Sequence, residues 1–343
     1  MKVFYSPAHR EHAPPEEFER GRMAPAVEVP ARAERVRVEV ERRKIGPVLA
    51  PSDFGMEPVT RVHAAGLVSF LGEASERWRK LYGEDAPAAI PSAWPARGIR
   101  SRTDGDVEAR LGTYASDTAT PIVKGTWSAA TAAVNCALSA ASEVKDGARS
   151  AFALTRPPGH HASSDLFGGY CYLNNVAIAT QWLAERGMRP AIFDVDYHHG
   201  NGTQSIFYRR GDVLFSSIHG DPAFAFPHYL GFADETGEGV GEGANLNLPL
   251  PMYTTWDDYA PALDVAAGRI AKFAPDVLLV SLGLDTFEAD PIAQFKLAKA
   301  DYLRMGERIA ALGLPTVFLF EGGYNLDALA EITVNVLEGF EGG

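Results

Sequence analysis

The sequence predicts an α/β fold, a single domain built on a parallel sheet with helices on both faces. Two observations predict it. Short apolar runs alternate with amphipathic segments from end to end of the 343 residues, the pattern of repeated strand–helix units. Polar residues of special chemistry also gather where the predicted strands end, as open α/β sheets arrange their ligand sites. No shift in composition divides the chain.

The apolar runs predict strands at Lys2–Tyr5, Ser150–Leu154, Pro190–Val195, Val213–Ile218, Asn245–Pro249, Val277–Leu282 and Thr316–Phe320. The amphipathic segments predict helices over Arg32–Lys44, Ala64–Leu81, Thr126–Val144, Asn174–Arg186, Thr255–Phe273, Lys299–Leu312 and Asn325–Phe340. Thr255 followed by Asp257 and Asp258 supplies a cap and early acids that suit the helix dipole. Gly313 and Pro315 stop another helix. Two stretches break the rhythm. Tyr82–Arg102, with Pro87, Pro91 and Pro95, reads as an ordered insertion, and Gly231–Ala244 reads as a surface loop. The glycines of that loop neither follow a strand nor open a helix, which argues against a dinucleotide fingerprint.

Composition narrows the function. The net charge of -12 argues against a nucleic-acid partner, because phosphate binding relies on a basic surface. Two cysteines, Cys136 and Cys171, cannot build a disulfide framework and suit a reducing, cytoplasmic setting. The amino end lacks the apolar run of a signal peptide, and no later stretch has the length of a membrane span.

Four strand ends carry the chemistry. One leads into Arg156-Pro157-Pro158-Gly159-His160-His161 and another into Asp194-Val195-Asp196-Tyr197-His198-His199-Gly200-Asn201-Gly202. The remaining two lead into Leu284-Asp285 and Glu321-Gly322-Gly323-Tyr324. Asp196 and His198 are two apart, so at a strand end they point to one side and suit a divalent metal. Asp285 from another strand completes a three-ligand set with a position left for water, the pattern of catalytic zinc. Fe(II), Co(II) or Mn(II) would also accept such oxygen-rich donors. An isolated Asp-x-His would read instead as a helix cap beside a satisfied core histidine. His160 and His161, being adjacent, suit a general base and its electrostatic or acid partner, with Asp194 and Asn201 as orienting neighbours. Tyr324 follows two glycines and could donate a hydrogen bond to a polarised carbonyl, although alone it would read as a packed turn tyrosine.

These motifs in this order, together with Gly168-Gly169-Tyr170-Cys171-Tyr172-Leu173-Asn174-Asn175, resemble the histone deacetylase superfamily, the arginase–deacetylase fold. The resemblance covers most of the chain and implies a central eight-stranded parallel sheet. It implies zinc at Asp196, His198 and Asp285, tandem histidines His160 and His161 with His161 preferred as general base, and Tyr324 polarising the carbonyl. Gly169, Tyr170 and Phe226 would line the substrate tunnel. It implies potassium held by Asp194, Asp196 and Ser217 with the backbone of His198 and Ile218, and a second potassium near Phe207, Arg210 and Val213. Asn201 stands where some family members have an aspartate, and an amide cannot supply His161 with negative charge.

Within the superfamily the chain is most similar to bacterial acetylpolyamine amidohydrolases. His219-Gly220-Asp221-Pro222, Phe226-Pro227-His228-Tyr229-Leu230-Gly231 and Glu235-Thr236-Gly237 carry that likeness, with the insertion at 82–102. The branch implies a homodimer formed through that insertion, which narrows the entrance, and cationic acetylated polyamines as substrates. Glu17 and Glu108 would be the acids that meet them, with Asp117 nearby. The alternatives are a protein or peptide acetyl-lysine deacetylase and a non-catalytic acetylamine-binding regulator.

Overall fold

Buried apolar residues alternate between two cores along the central strands. In the run Val277–Leu282, Leu278, Val280 and Leu282 enter one core while Val277 and Leu279 enter the other. Phe318 and Phe320 oppose Val317 and Leu319 in the same way. A strand with period-two side chains and apolar residues on both faces can only lie inside a sheet covered twice.

The computed structural model describes residues 1–96, 100–101 and 103–343. Its strands in chain order are β1 (Lys2–Phe4), β2 (Glu16–Glu19), β3 (Arg22–Pro25), β4 (Val48–Leu49), β5 (Ser150–Ala153), β6 (Pro190–Asp194), β7 (Leu214–Gly220), β8 (Asn245–Leu250), β9 (Val277–Leu282) and β10 (Thr316–Phe320). Eight form one parallel sheet in the order β4-β1-β5-β10-β9-β6-β7-β8, and β2 and β3 form a separate antiparallel hairpin. The helices Ala31–Arg42, Trp256–Phe273, Asp301–Ala310 and Leu329–Gly342 pack on one face. Ala65–Tyr82, Thr126–Lys145 and Asn175–Ala184 pack on the other.

The seven expected strands are present, two with the expected bounds and five with an end shifted by a residue or two. The eighth, β4, is a two-residue edge strand flanked by Pro47 and Pro51, too short to show a period. Three short helices, Glu57–Thr60, Val107–Tyr114 and Asn201–Phe207, were not expected from the sequence. The second had a legible signal, because Asp106 caps it by accepting from Ala109 N–H at 3.2 Å. The stretch after Tyr82 is irregular apart from a bridge between Ala89 and Ile122, and residues 97–99 and 102 of the expected insertion lie outside the described residues. The Gly231–Ala244 loop is pinned to the fold by Glu235, whose carboxylate accepts from Gly231 N, Gln204 Nε2 and Asn247 Nδ2. No helix among the described residues is long and apolar enough to cross a membrane.

Four strands, β5, β10, β9 and β6, lie side by side at the centre of the sheet. These are the four whose carboxyl ends carry the unusual polar residues. The topology therefore gathers onto one edge what the sequence spreads over about half the chain.

Candidate active site

Asp196 and His198 follow β6, and Asp285 follows β9 in the adjacent register. Their side-chain donor atoms lie within 4.8 Å of one another, and all three residues are buried. His198 Nδ1 is 2.9 Å from Asp285 Oδ2 and 3.4 Å from Asp196 Oδ1. One ring nitrogen facing two buried carboxylates calls for positive charge between them. Burial opposes charging His198, yet both aspartates outweigh it and raise its pKa to about 10. Burial and the Asp196 charge push Asp285 up to about 7. A divalent cation meets the same demand without a proton, so the donor set fits a metal. The backbone makes room for these carboxylates: a side chain at Gly283 would overlap Asp196, and one at Gly322 would crowd both acids. Gly322 N–H also donates to Asp196 Oδ2 at 2.9 Å.

The tandem histidines sit beside this set with their rings 4.0 Å apart, each oriented by a different partner. His160 Nδ1 lies 3.0 Å from Asp194 Oδ2 and its Nε2 lies 3.8 Å from Asp196. Burial works against its charge, but Asp196 and Asp194 raise its pKa to about 10. His161 Nδ1 bonds the neutral Asn201 Oδ1 at 2.7 Å. Burial, with His160 and His198 close by, holds His161 well below the ordinary imidazole range. The surroundings thus favour charge on His160 and oppose it on His161.

A pocket of about 360 Å³ opens over His161 and His198 and is walled by Gly169, Tyr170, Phe226 and Tyr324. The Phe226 ring stands 5.0 Å from His161, nearly perpendicular to it. Tyr324 is held by its N–H to Asp290 Oδ2 at 2.8 Å and by the Arg32 guanidinium 4.7 Å from its ring centroid. A second groove of about 580 Å³ between the helices Ala65–Tyr82 and Val107–Tyr114 lies away from these groups. Its volume exceeds that of the pocket, but the chemistry is in the pocket.

The sequence resemblance can now be set against whole proteins. Residues 26–340 match the family described as the histone deacetylase domain. The chain belongs to the histone deacetylase family. It is 52% identical to "Acetylpolyamine amidohydrolase 1" of Pseudomonas aeruginosa over 100% of this chain and 99% of that protein. It is 44% identical to "Acetylpolyamine amidohydrolase" of Mycoplana ramosa over the full length of both. The fold matches the crystal structure of acetylpolyamine aminohydrolase from Burkholderia pseudomallei with a TM-score of 0.95 at 40% identity, covering 99% and 98% of the two chains. Membership of the histone deacetylase family makes this chain a deacetylase, a hydrolase whose chemistry depends on a metal.

Other expected residues of this deacetylase are distributed less simply. Asp194 and Ser217 are in-register neighbours on β6 and β7, beneath the tandem histidines, and Ser217 Oγ bonds His219 Nδ1 at 2.8 Å. Ile218 continues β7. The Phe207 carbonyl accepts Arg210 N–H at 2.8 Å where its helix ends, just before Val213. Two expected substrate acids need correction. Glu17 is 1% exposed and accepts the Tyr170 hydroxyl at 3.0 Å, so it backs a wall residue instead of lining the pocket. Glu108 is exposed on the helix Val107–Tyr114, hydrogen-bonded to Tyr82, and does not reach the pocket of its own chain. Asp117 does line the pocket, but it accepts from Gly169 N at 2.5 Å, Ala119 N at 2.9 Å and Thr120 Oγ1 at 3.0 Å, which fixes the Gly169–Tyr170 turn.

Sequence reasoning missed the supports beneath the site. Glu321 accepts from Gly159 N at 2.6 Å and His160 N at 3.3 Å, tying the end of β10 to the histidine loop. Arg32 donates to the carbonyls of Gly323 and Glu321, and it shares Glu28 with Arg156. The Glu28–Arg32 spacing of four residues was the available signal.

Proposed function

We propose that this deacetylase removes acetyl groups from N-acetylated polyamines of the acetylputrescine, acetylcadaverine and acetylspermidine type, releasing acetate and the free amine. One observation carries the reading: the Asp196–His198–Asp285 donor set, the tandem histidines and Tyr324 come together at one pocket. The full-length likeness to proteins named for that activity supports the substrate class.

Asp196, His198 and Asp285 would hold the metal, with zinc preferred and Fe(II) or Co(II) compatible with two oxygen donors and one nitrogen. When bound, that cation supplies Lewis-acid polarisation of the acetyl carbonyl and of the attacking water. His161 takes the proton of that water at Nε2, because its Nδ1 proton is committed to Asn201. His160, paired with Asp194, keeps a positive charge beside the anion as it develops. The Tyr324 hydroxyl donates to the carbonyl oxygen as negative charge builds on it. The proton held by His161 then passes to the amine nitrogen as the C–N bond breaks. Gly169, Tyr170 and Phe226 flank the methylene chain.

Asp194, Asp196 and Ser217, with the backbone of His198 and Ile218, would hold a potassium ion that stabilises the strand ends. The register of β6 with β7 supports that reading. The protein works as a homodimer in the cytoplasm. Exposed Leu81, Tyr82 and Trp94 support the dimer, and two buried free thiols support a reducing setting.

Tyr324→Phe is expected to lower acetylputrescine turnover by roughly 10²–10³, the usual loss for one oxyanion donor. Near-normal turnover would remove Tyr324 from the mechanism. On the unmodified enzyme, kcat/KM should favour acetylputrescine, acetylcadaverine and acetylspermidine over acetyl-lysine peptides. The reverse order would make it a peptide deacetylase.

A further inference from the structure

With Glu17 behind Tyr170 and Glu108 outside the pocket of its own chain, neither lines that pocket to meet a cationic substrate. Among the described residues lining the pocket, two carry carboxylates, Asp117 and Glu19. Asp117 is committed to the backbone and hydroxyl donors of its own turn. Glu19 is at the end of β2, beside the hairpin tip formed by Arg20 and Gly21, and its side chain is 38% exposed. Arg20 also lines the pocket, and its Nε lies 3.3 Å from Glu19 Oε1. The Arg20 side chain is 85% exposed. The tip is tight, with both Arg20 and Gly21 at positive φ (49° and 83°), so the two charged side chains are held at the pocket together.

We propose that Glu19 selects cationic acetylamines, and that Arg20 is an internal cation which occupies Glu19 until the substrate's ammonium displaces it. The proposal rests on the acetylpolyamine reading above. A linear acetylamine with its carbonyl at His161 and Tyr324 carries its free ammonium away from the reacting end. The methylenes would pass Phe226 and Tyr170, which line the same pocket as the hairpin residues Phe18, Glu19 and Arg20. Glu19 stays partly hydrated, so the ammonium need not be fully desolvated to reach it. An exposed Arg–Glu pair is weak, so a substrate cation can replace the guanidinium. Glu19 then determines which acetylamide binds and takes no part in the bond cleavage.

The test compares acetylputrescine with N-butylacetamide, which has the same carbon chain and no ammonium. The readout is the ratio of their kcat/KM values. Glu19→Gln is expected to lower that ratio roughly three- to fivefold at low salt, the scale of one exposed ion pair, through KM for the cation. Arg20→Gln is expected to raise the ratio by removing the competitor, and Glu19→Asp to recover part of the loss. All three effects should fade near 1 M salt, where the screening length is about 3 Å. A preference for acetylputrescine that survives Glu19→Gln overturns the role of Glu19 and leaves the polyamine reading standing. Arg20→Gln lowering the ratio overturns the displacement. Equal kcat/KM for the two substrates in the unmodified enzyme overturns the polyamine reading and the role of Glu19 with it.

Discussion

Asn201 Oδ1 lies 2.7 Å from His161 Nδ1. An amide oxygen can only accept, so this contact keeps the proton on Nδ1 and the lone pair on Nε2. The amide brings no charge, so its hydrogen bond only partly offsets the burial that keeps His161 low. Replacing it with a carboxylate would add charge at the same distance. Asn201→Asp is expected to raise the proton affinity of His161 by roughly 1–3 pH units. A base must be unprotonated to act, so the acidic limb of the kcat/KM profile should move to higher pH. A limb that stays in place would separate Asn201 from the base.

The donor set predicts how the enzyme loses its metal. Asp285 also accepts Tyr197 N–H at 2.8 Å, so its carbonyl oxygen has a structural use that an amide can keep. Asp285→Asn should therefore fold while purifying with less metal, as read by elemental analysis. Chelation of the unmodified protein should abolish hydrolysis and lower the melting temperature, because a ligand bound only to the folded state stabilises it. Adding back a divalent cation should restore both. A melting temperature indifferent to chelation would argue against metal at these residues.

Much of this site was legible because its residues end buried strands. The runs at β5, β6, β9 and β10 are mostly apolar, and polar groups of unusual chemistry follow within a few residues. That these four strands are neighbours is a property of the chain path, and the resemblance supplied it where the pattern could not. The β2–β3 hairpin was hidden for a different reason. Glu-Glu-Phe-Glu before Arg-Gly-Arg shows no apolar alternation, so nothing marked it as a strand. Glu17 and Glu19 are two apart and share a strand face, and spacing alone cannot say which one meets the pocket. The Tyr170 hydroxyl decides it by engaging Glu17.

Burial makes Glu17 a source of pH-dependent stability, and the Tyr170 hydroxyl offsets it only in part. Burial raises its pKa from 4.5 to about 7. The folded state thus binds this proton more tightly than the unfolded chain does. Its contribution to stability is complete below about 4.5 and is lost as pH rises through 7. Glu17→Gln keeps an acceptor for Tyr170 and cannot ionise. The variant and the parent should melt alike at low pH, and the variant should melt higher at pH values above the Glu17 range. A constant difference between the two melting curves across pH would remove Glu17 from this role.

Gly169 connects the pocket wall to the base. Its φ is +56°, its N–H is held by Asp117, and a side chain there would overlap the His161 ring. Gly169→Ala therefore incurs two penalties. Backbone strain for an L-residue in the left-handed region costs roughly 1–2 kcal/mol. Displacement of His161 is a separate loss, felt in turnover more than in stability. Gly313 separates them, because it has φ +66° and open space where its side chain would go. Gly313→Ala should lower the melting temperature and leave turnover intact. Gly169→Ala should lower the melting temperature by a comparable amount and turnover by far more. If the two alanine variants lose turnover equally, the contact between Gly169 and His161 does not position the base. If Gly169→Ala alone loses it, the tightness of this wall explains why the glycine pair before Tyr170 belongs to the chemistry as much as to the turn.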